Sequence, residues 1–278
     1  KERSGNTWDI AFNVIEGPKY KIGSTELEGV TLFPEPLIKS ATPLKAGDVA
    51  GLTAIDAGRT AVRDYFSSRG YVDTRVQTST YPALDKPGVL NVVYTVTEGE
   101  LTKIRNILIR GNTSTKDKVI RREILLNPGD IYDGVQAERS KKRLDNLGYF
   151  SDVRNYDATV NDETRDLIYE LDEKSTGSMM VGAGFSSVDH LIGMFEISQS
   201  NFDLTNFKNF RGAGQKARLS LQVSADSTDL ETSFVEPWFL DRRIALNVDG
   251  FIRNREYSEY DESRDGFSVG LAKHVPWV

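Results

Sequence analysis

Hydrophobic positions follow two different periods along this chain. Up to about residue 173, short alternating runs flank segments of helical period. From Thr176 onward only alternation with a period of two remains. Within the first region, residues 103–109 read as a short strand closed by the turn pair Gly111-Asn112. Ser114 or Thr115 is placed to cap a helix through Val119, Ile120, Ile124 and Leu125, and Asn127-Pro128-Gly129-Asp130 stops it. Residues 135–147 form a second helix, rich in Lys and Arg toward its end, with Gly148 as its C′ residue. Residues 153–160 and 166–171 alternate as paired strands joined by a polar turn at 161–164. The order is strand, helix, helix, strand, strand. Residues 20–28, 36–40, 52–69, 72–80 and 90–97 repeat it.

The two sets are copies. Gly17, Gly29 and Gly47 recur as Gly99, Gly111 and Gly129, each 82 positions on, inside matching strings such as Ala46-Gly47-Asp48 and Pro128-Gly129-Asp130. Arg69-Gly70-Tyr71 recurs as Leu147-Gly148-Tyr149 after 78 positions, and a nearly constant offset of this kind marks a duplicated module. Ala11-Phe12-Asn13-Val14 stands 82 before Val93-Tyr94-Thr95-Val96, so residues 8–15 read as the closing strand of a preceding module. The expected division is therefore 1–17, 18–98, 99–175 and 176–278.

In the last division six segments alternate: 178–187, 191–201, 215–225, 228–238, 244–253 and 266–274. Alternation alone fits a soluble sandwich, but three features favour strands that cross a membrane. Each segment is about ten residues, the length of a tilted membrane strand. The apolar face reads as small and aliphatic, without the large aromatics of a sandwich core. The aromatics Phe202, Phe207, Phe210, Trp238, Phe239 and Trp277 fall on the side where the first strand starts, as an interfacial girdle would.

Composition narrows the chemistry. A net charge of −6 with 27 % charged residues gives no basic face for nucleic acid. The absence of cysteine removes zinc ribbons, disulfide scaffolds and thiol catalysis. His190 and His274 are the only histidines, too few for a His-based metal site. Gly182-Ala183-Gly184 lacks the third Gly and the helix of a nucleotide loop, and Asp189-His190 has no Gly-x-Ser-x-Gly elbow to serve. Glu256, Glu259, Asp261, Glu262 and Asp265 lack Ca²⁺-loop spacing and read as a solvated loop. The basic spots Arg121, Arg122 and Lys141, Lys142, Arg143 read as solvated helix faces. No catalytic residue, cofactor or metal is expected.

The strand-helix-helix-strand-strand order, the Glu-Gly junctions and the Gly-Tyr after the second helix resemble POTRA domains. The strings Ser200-Asn201-Phe202, Gly212-Ala213-Gly214 and Glu236-Pro237-Trp238-Phe239 resemble the start of the barrel in the BamA family of outer-membrane assembly proteins. The inserted stretch 203–211 lengthens one turn relative to that family. The resemblance implies α+β modules in tandem, standing in the periplasm, followed by antiparallel transmembrane β-barrel strands in the bacterial outer membrane. Barrels of this family use sixteen strands, so the chain is expected to continue beyond Val278.

The implied activity is assembly of outer-membrane β-barrels. Unfolded outer-membrane proteins would be captured by strand addition at free sheet edges. One such edge is expected in the module hairpins, at 72–80 and at 153–160, with Val153, Arg154, Asn155 and Tyr156 in the second. The other is the first barrel strand, with Ser178, Met180, Gly182, Gly184 and Ser186, where glycine weakens pairing at a lateral seam. Arg121 lies where the family carries a basic contact, so Arg121 and Arg122 are expected to meet an accessory lipoprotein, although Pro128 replaces an acidic residue there. Outer-membrane lipid is the remaining partner expected. A TamA-like translocation factor and a two-partner secretion pore share the same parts and are the competing expectations.

Overall fold

The computed structural model describes residues 2–4, 7–9, 12, 18–161, 163–187 and 190–273. Strands β1 (Glu2–Ser4) and β2 (Thr7–Asp9) pair antiparallel. Most of the closing strand expected at 8–15, together with Asp189, His274 and Trp277, lies outside the described residues.

The first module contains β3 (Lys21–Glu28), α1 (Glu35–Ala41), α2 (Leu52–Ser67), β4 (Arg75–Pro82) and β5 (Val89–Thr97). Its sheet order is β3-β5-β4, with β3 parallel and β4 antiparallel to β5. The two helices form the crossover that a parallel pair requires. Ile55, Gly58, Val62 and Phe66 recur along α2 at helical spacing, and this stripe is the buried face. It packs on Ile22, Ile38, Val92 and Tyr94. Each large side chain buried in this way contributes about 1.5–3 kcal/mol.

The second module repeats the pattern with β6 (Lys103–Arg110), α3 (Asp117–Arg121), α4 (Gly134–Asn146), β7 (Phe150–Thr159) and β8 (Thr164–Glu173), in sheet order β6-β8-β7. Duplication extends to single hydrogen bonds. Tyr94 Oη donates to Ile55 O at 3.0 Å, and Tyr169 Oη donates to Ala137 O, 82 positions after Ile55, at 3.1 Å. Burial pushes both phenols up to about 12.

A carboxylate clamp is duplicated too. Glu98 accepts the backbone N–H groups of Thr31 and Leu32 at 2.8 and 2.9 Å, and Glu173 accepts those of Ser114 and Thr115 at 2.9 and 2.6 Å. The next loop position differs. Phe33 packs edge-on against Tyr65, Phe66 and Tyr71, whereas its counterpart 82 positions on is the polar Thr115.

That clamp corrects one expectation. Ser114 and Thr115 do not cap α3; the N-cap position falls to Lys116, without a side-chain cap, because Glu173 holds the loop before it. The helix is also shorter than expected. It ends at Arg121, and the Leu125 N–H turns to the buried Ser140 Oγ at 2.9 Å.

The remaining strands are β9 (Gly177–Ser186), β10 (His190–Phe202), β11 (Gln215–Val223), β12 (Ser227–Glu236), β13 (Ile244–Glu256) and β14 (Asp261–Lys273). They pair antiparallel in chain order, leaving β9 and β14 at the edges of a six-stranded sheet. Register aligns the alternation across all six. Ser178, Ser198, Arg218, Ser233, Asp249 and Ser268 form one cross-strand row, and Met179, Ile197, Leu219, Thr232, Gly250 and Phe267 form the next. One face is thus polar and the other apolar. Met179, Val181, Leu191, Ile197, Val269 and Leu271 on the apolar face are all exposed. A continuous exposed apolar face of this extent belongs in a membrane.

Two details depart from the sequence reading. The apolar face is not free of aromatics, since Phe185, Phe195, Phe234 and Phe267 lie in its rows. Facing lipid, a ring has no opposite sheet to meet, so large side chains fit there as well as small ones. The β13–β14 hairpin also reaches further than the alternating apolar positions indicate. Glu256 pairs with Asp261 and Arg255 with Glu262, so four of the five expected loop carboxylates stand on strands and only Glu259 is in the turn.

Candidate functional site: the joint between module and sheet

The second module and the strand sheet meet at a polar joint built from α3, the loop before it and the turn between β10 and β11. Asn201, near the end of β10, is 1 % exposed and spans the contact. Its Oδ1 accepts the Gly214 N–H at 2.8 Å, and its Nδ2 donates to Thr115 Oγ1 at 2.9 Å. Main chain adds two bonds: Gly212 N–H to Asn201 O at 2.9 Å, and Lys116 N–H to Gly212 O at 2.8 Å. Gly212 has φ +119°, and a Cβ there would run into the Ser114 carbonyl oxygen, so both conformation and closeness demand glycine. Tyr149 Oη donates to Gly214 O at 3.3 Å from the module side, and its phenol is pushed by burial up to about 12.

Charges flank this core. Lys116 Nζ lies 2.6 Å from Asp203, whose side chain is 1 % exposed, and Lys118 Nζ lies 3.4 Å from Asp241. Burial pushes the Asp203 carboxyl up, but hydrogen bonds from Lys116 and Thr205 outweigh it and hold the group below the usual carboxylate range. Glu173 behaves alike: burial raises it, and the bonds from Thr115, Thr113 and Ser114 bring it below its ordinary value. The guanidinium of Arg122 lies 5.2 Å from the Trp238 ring centroid and that of Arg243 lies 5.4 Å from it. A cleft of about 130 Å³ opens among Lys118, Arg122, Asp203, Trp238 and Asp241.

This geometry places the residues read from sequence. Arg121 is half exposed and paired with Asp117 at 2.5 Å. Arg122 does not face outward as expected; its guanidinium is packed into the joint, where burial lowers its pKa, which leaves Arg121 as the outward member of the pair. Phe202 and Phe210 stack at 5.7 Å, with Phe207 edge-on to Phe210 at 6.1 Å. Trp238 and Phe239 lie at the same module-side end, Trp238 engaged with the two arginines. His190 opens β10 at the opposite end, 3.9 Å from Asp226. Among the described residues, no group of three or more His, Asp or Glu could hold a metal ion.

The expected capture residues fall on edge strands. Val153, Arg154, Asn155 and Tyr156 are on β7, with Val153 in the core and Arg154 tied to Asp152, Glu170 and Asp172. In the first module the corresponding edge is β4. Ser178, Met180, Gly182, Gly184 and Ser186 alternate along β9, whose only paired neighbour among the described residues is β10. An apolar hollow of about 490 Å³ lies at the start of β9, between Met179, Ile197 and the Phe202–Phe210 stack. Sequence reasoning did not single out Asn201, Asp203 or Glu173 as joint residues. Each has a joint partner far along the chain, and no local signal marks that partner.

Modules of β-α-α-β-β order running into a sheet with one exposed apolar face define a class: outer-membrane barrel proteins with an arm of soluble modules. Known proteins agree. The POTRA family, described as surface antigen variable number repeat, matches residues 20–99 and 102–174, and the Omp85 superfamily domain matches residues 209–276. The crystal structure of BamA from Haemophilus ducreyi lacking POTRA domains 1–3 is 25 % identical with a TM-score of 0.74, over 91 % of this chain and 47 % of that one. The outer membrane protein assembly factors BamA of Nitratidesulfovibrio vulgaris and Neisseria meningitidis serogroup B are 24 % and 28 % identical over 96 % and 86 % of this chain. This chain spans about a third of the length of such curated relatives. It belongs to the POTRA-bearing Omp85 family that includes BamA, with its modules in the periplasm and its strand sheet in the outer membrane.

Proposed function

We propose that this chain forms the joint and insertion edge of an outer-membrane protein assembly factor. Unfolded outer-membrane proteins add as strands to the module edges β4 and β7 and then to β9, from which they enter the membrane. The observation that carries this reading is the position of β9. It is the first strand of a sheet in hydrocarbon, and the N–H and C=O groups on its side away from β10 require a partner strand, because no water is there to satisfy them. A client strand satisfies them through backbone bonds alone, whatever its sequence. Gly182 and Gly184 keep that edge thin and easily exchanged. Arg121 is the contact offered to an accessory assembly lipoprotein.

The test is photo-crosslinking from Asn155 on β7 and Met180 on β9 in the full-length protein in growing cells. Adducts with newly made outer-membrane proteins are expected at both positions. Adducts at neither, in cells whose growth depends on the protein, would sink the strand-capture reading.

A further inference from the structure

The charged groups at the two ends of the sheet are not alike. At the end away from the modules, the β13–β14 hairpin and the neighbouring turn carry Asp226, Glu256, Glu259, Asp261 and Glu262 against one cation, Arg255. At the module end, the turns β10–β11 and β12–β13 carry Lys208, Arg242 and Arg243, with Arg211 turned to the Lys174 carbonyl. Those turns hold two carboxylates of their own, Asp203 and Asp241, but both are engaged from the module by Lys116 and Lys118. Lys208, Arg242 and Arg243 are exposed and have no carboxylate partner among the described residues.

The same turns have apolar tips. Phe207 is 79 % exposed and Leu240 75 %, each within three residues of a free cation. Arg243 is steadied over the Trp238 ring. The apolar rows of the sheet end at these turns, so the turn tips stand at the depth where hydrocarbon gives way to headgroups. A cation beside an apolar anchor at that depth fits an anionic headgroup, and each Lys or Arg near such a surface strengthens its attraction severalfold.

We propose that the two module-end turns bind anionic phospholipid, with Lys208, Arg242 and Arg243 on the headgroup phosphate and Phe207 and Leu240 against the upper acyl chain. The inference rests on the membrane placement of the sheet, which heat-modifiable gel migration of each variant checks separately. It makes the periplasm-facing leaflet a charge-selective partner of the joint.

The experiment is native mass spectrometry of the full-length protein released from nanodiscs holding equal phosphatidylglycerol and phosphatidylcholine of matched chains. Retained lipid is expected to be enriched in phosphatidylglycerol. In the variant Lys208→Gln/Arg242→Gln/Arg243→Gln the enrichment should fall by at least about tenfold. If that variant does not fold, Lys208→Gln alone, at an exposed turn, should lower it severalfold. Unchanged enrichment in the folded variant overturns the proposal. So does an equal fall on removing three charges from the first module by Lys19→Gln/Lys21→Gln/Lys45→Gln, which would make net charge the cause. Excess inorganic phosphate should leave the enrichment in place; displacement by phosphate would mean a free-anion site and overturn the lipid assignment.

Discussion

Asn201 reaches from the end of the second sheet strand to Thr115, placing its amide nitrogen 2.9 Å from the threonine hydroxyl of the module. The same side chain accepts the Gly214 N–H, so one buried residue ties a module loop, a strand end and a turn. Removing it leaves a buried N–H without an acceptor. Asn201→Ala should lower stability by about 2–3 kcal/mol, read as the urea midpoint of the full-length protein followed by tryptophan fluorescence. A midpoint equal to that of the parent would show that the joint does not depend on this bridge.

Gly212 offers a controlled comparison. Gly129 has a similar left-handed φ of +93°, but a Cβ there would meet nothing within 4 Å, whereas at Gly212 it would meet the Ser114 carbonyl. Both alanine variants carry the backbone strain of about 1 kcal/mol or more. Gly212→Ala should cost about 1–2 kcal/mol beyond Gly129→Ala because it must also push the module loop off the turn. Equal losses would mean that the loop yields freely.

Glu173 makes the module loop sensitive to acid. Its folded pKa lies below the ordinary glutamate value of about 4.3. A depressed carboxylate contributes stability that is fully present above the unfolded pKa and is lost as pH falls through the folded one. The parent should therefore exceed Glu173→Gln in stability at pH 7, and the difference should shrink as pH falls below the ordinary glutamate value of about 4.3. Unfolding midpoints at pH 7 and pH 3.5 measure it. Parallel curves would assign the acid response to other groups.

Gly182→Val tests the first barrel strand: a Cβ at Gly182 comes no closer than 3.5 Å to its nearest neighbour, the flexible Met194 Cε methyl. The β-branched residue stiffens the strand and should slow exchange of strands on the side of β9 away from β10. Lower steady-state levels of other outer-membrane barrels are expected, with the variant itself present at normal levels. Normal client levels would count against exchange at this edge.

Much of this was legible beforehand. The 82-residue offset gave both modules and their element order, because duplicated turns such as Gly47 and Gly129 must recur to fold the same way. Alternation gave six strands with ends right to within a few residues, save the charged β13–β14 hairpin, where no apolar period marks pairing beyond the lipid. The joint was not legible. Glu173 lies 58 residues from the Thr115 amide it binds, and Asn201 lies 86 from Thr115. Nor does sequence reveal that Arg122 turns inward, since its neighbour Arg121 differs from it only by the rotation of one helical step.

The loop after the first strand has the same shape in both modules, yet at one position it has opposite sociability. Phe33 is satisfied by rings of its own module, while Thr115 leaves a hydroxyl for a stranger to take. At this position the two copies are therefore not interchangeable: the first closes on itself, and the second holds the strand sheet.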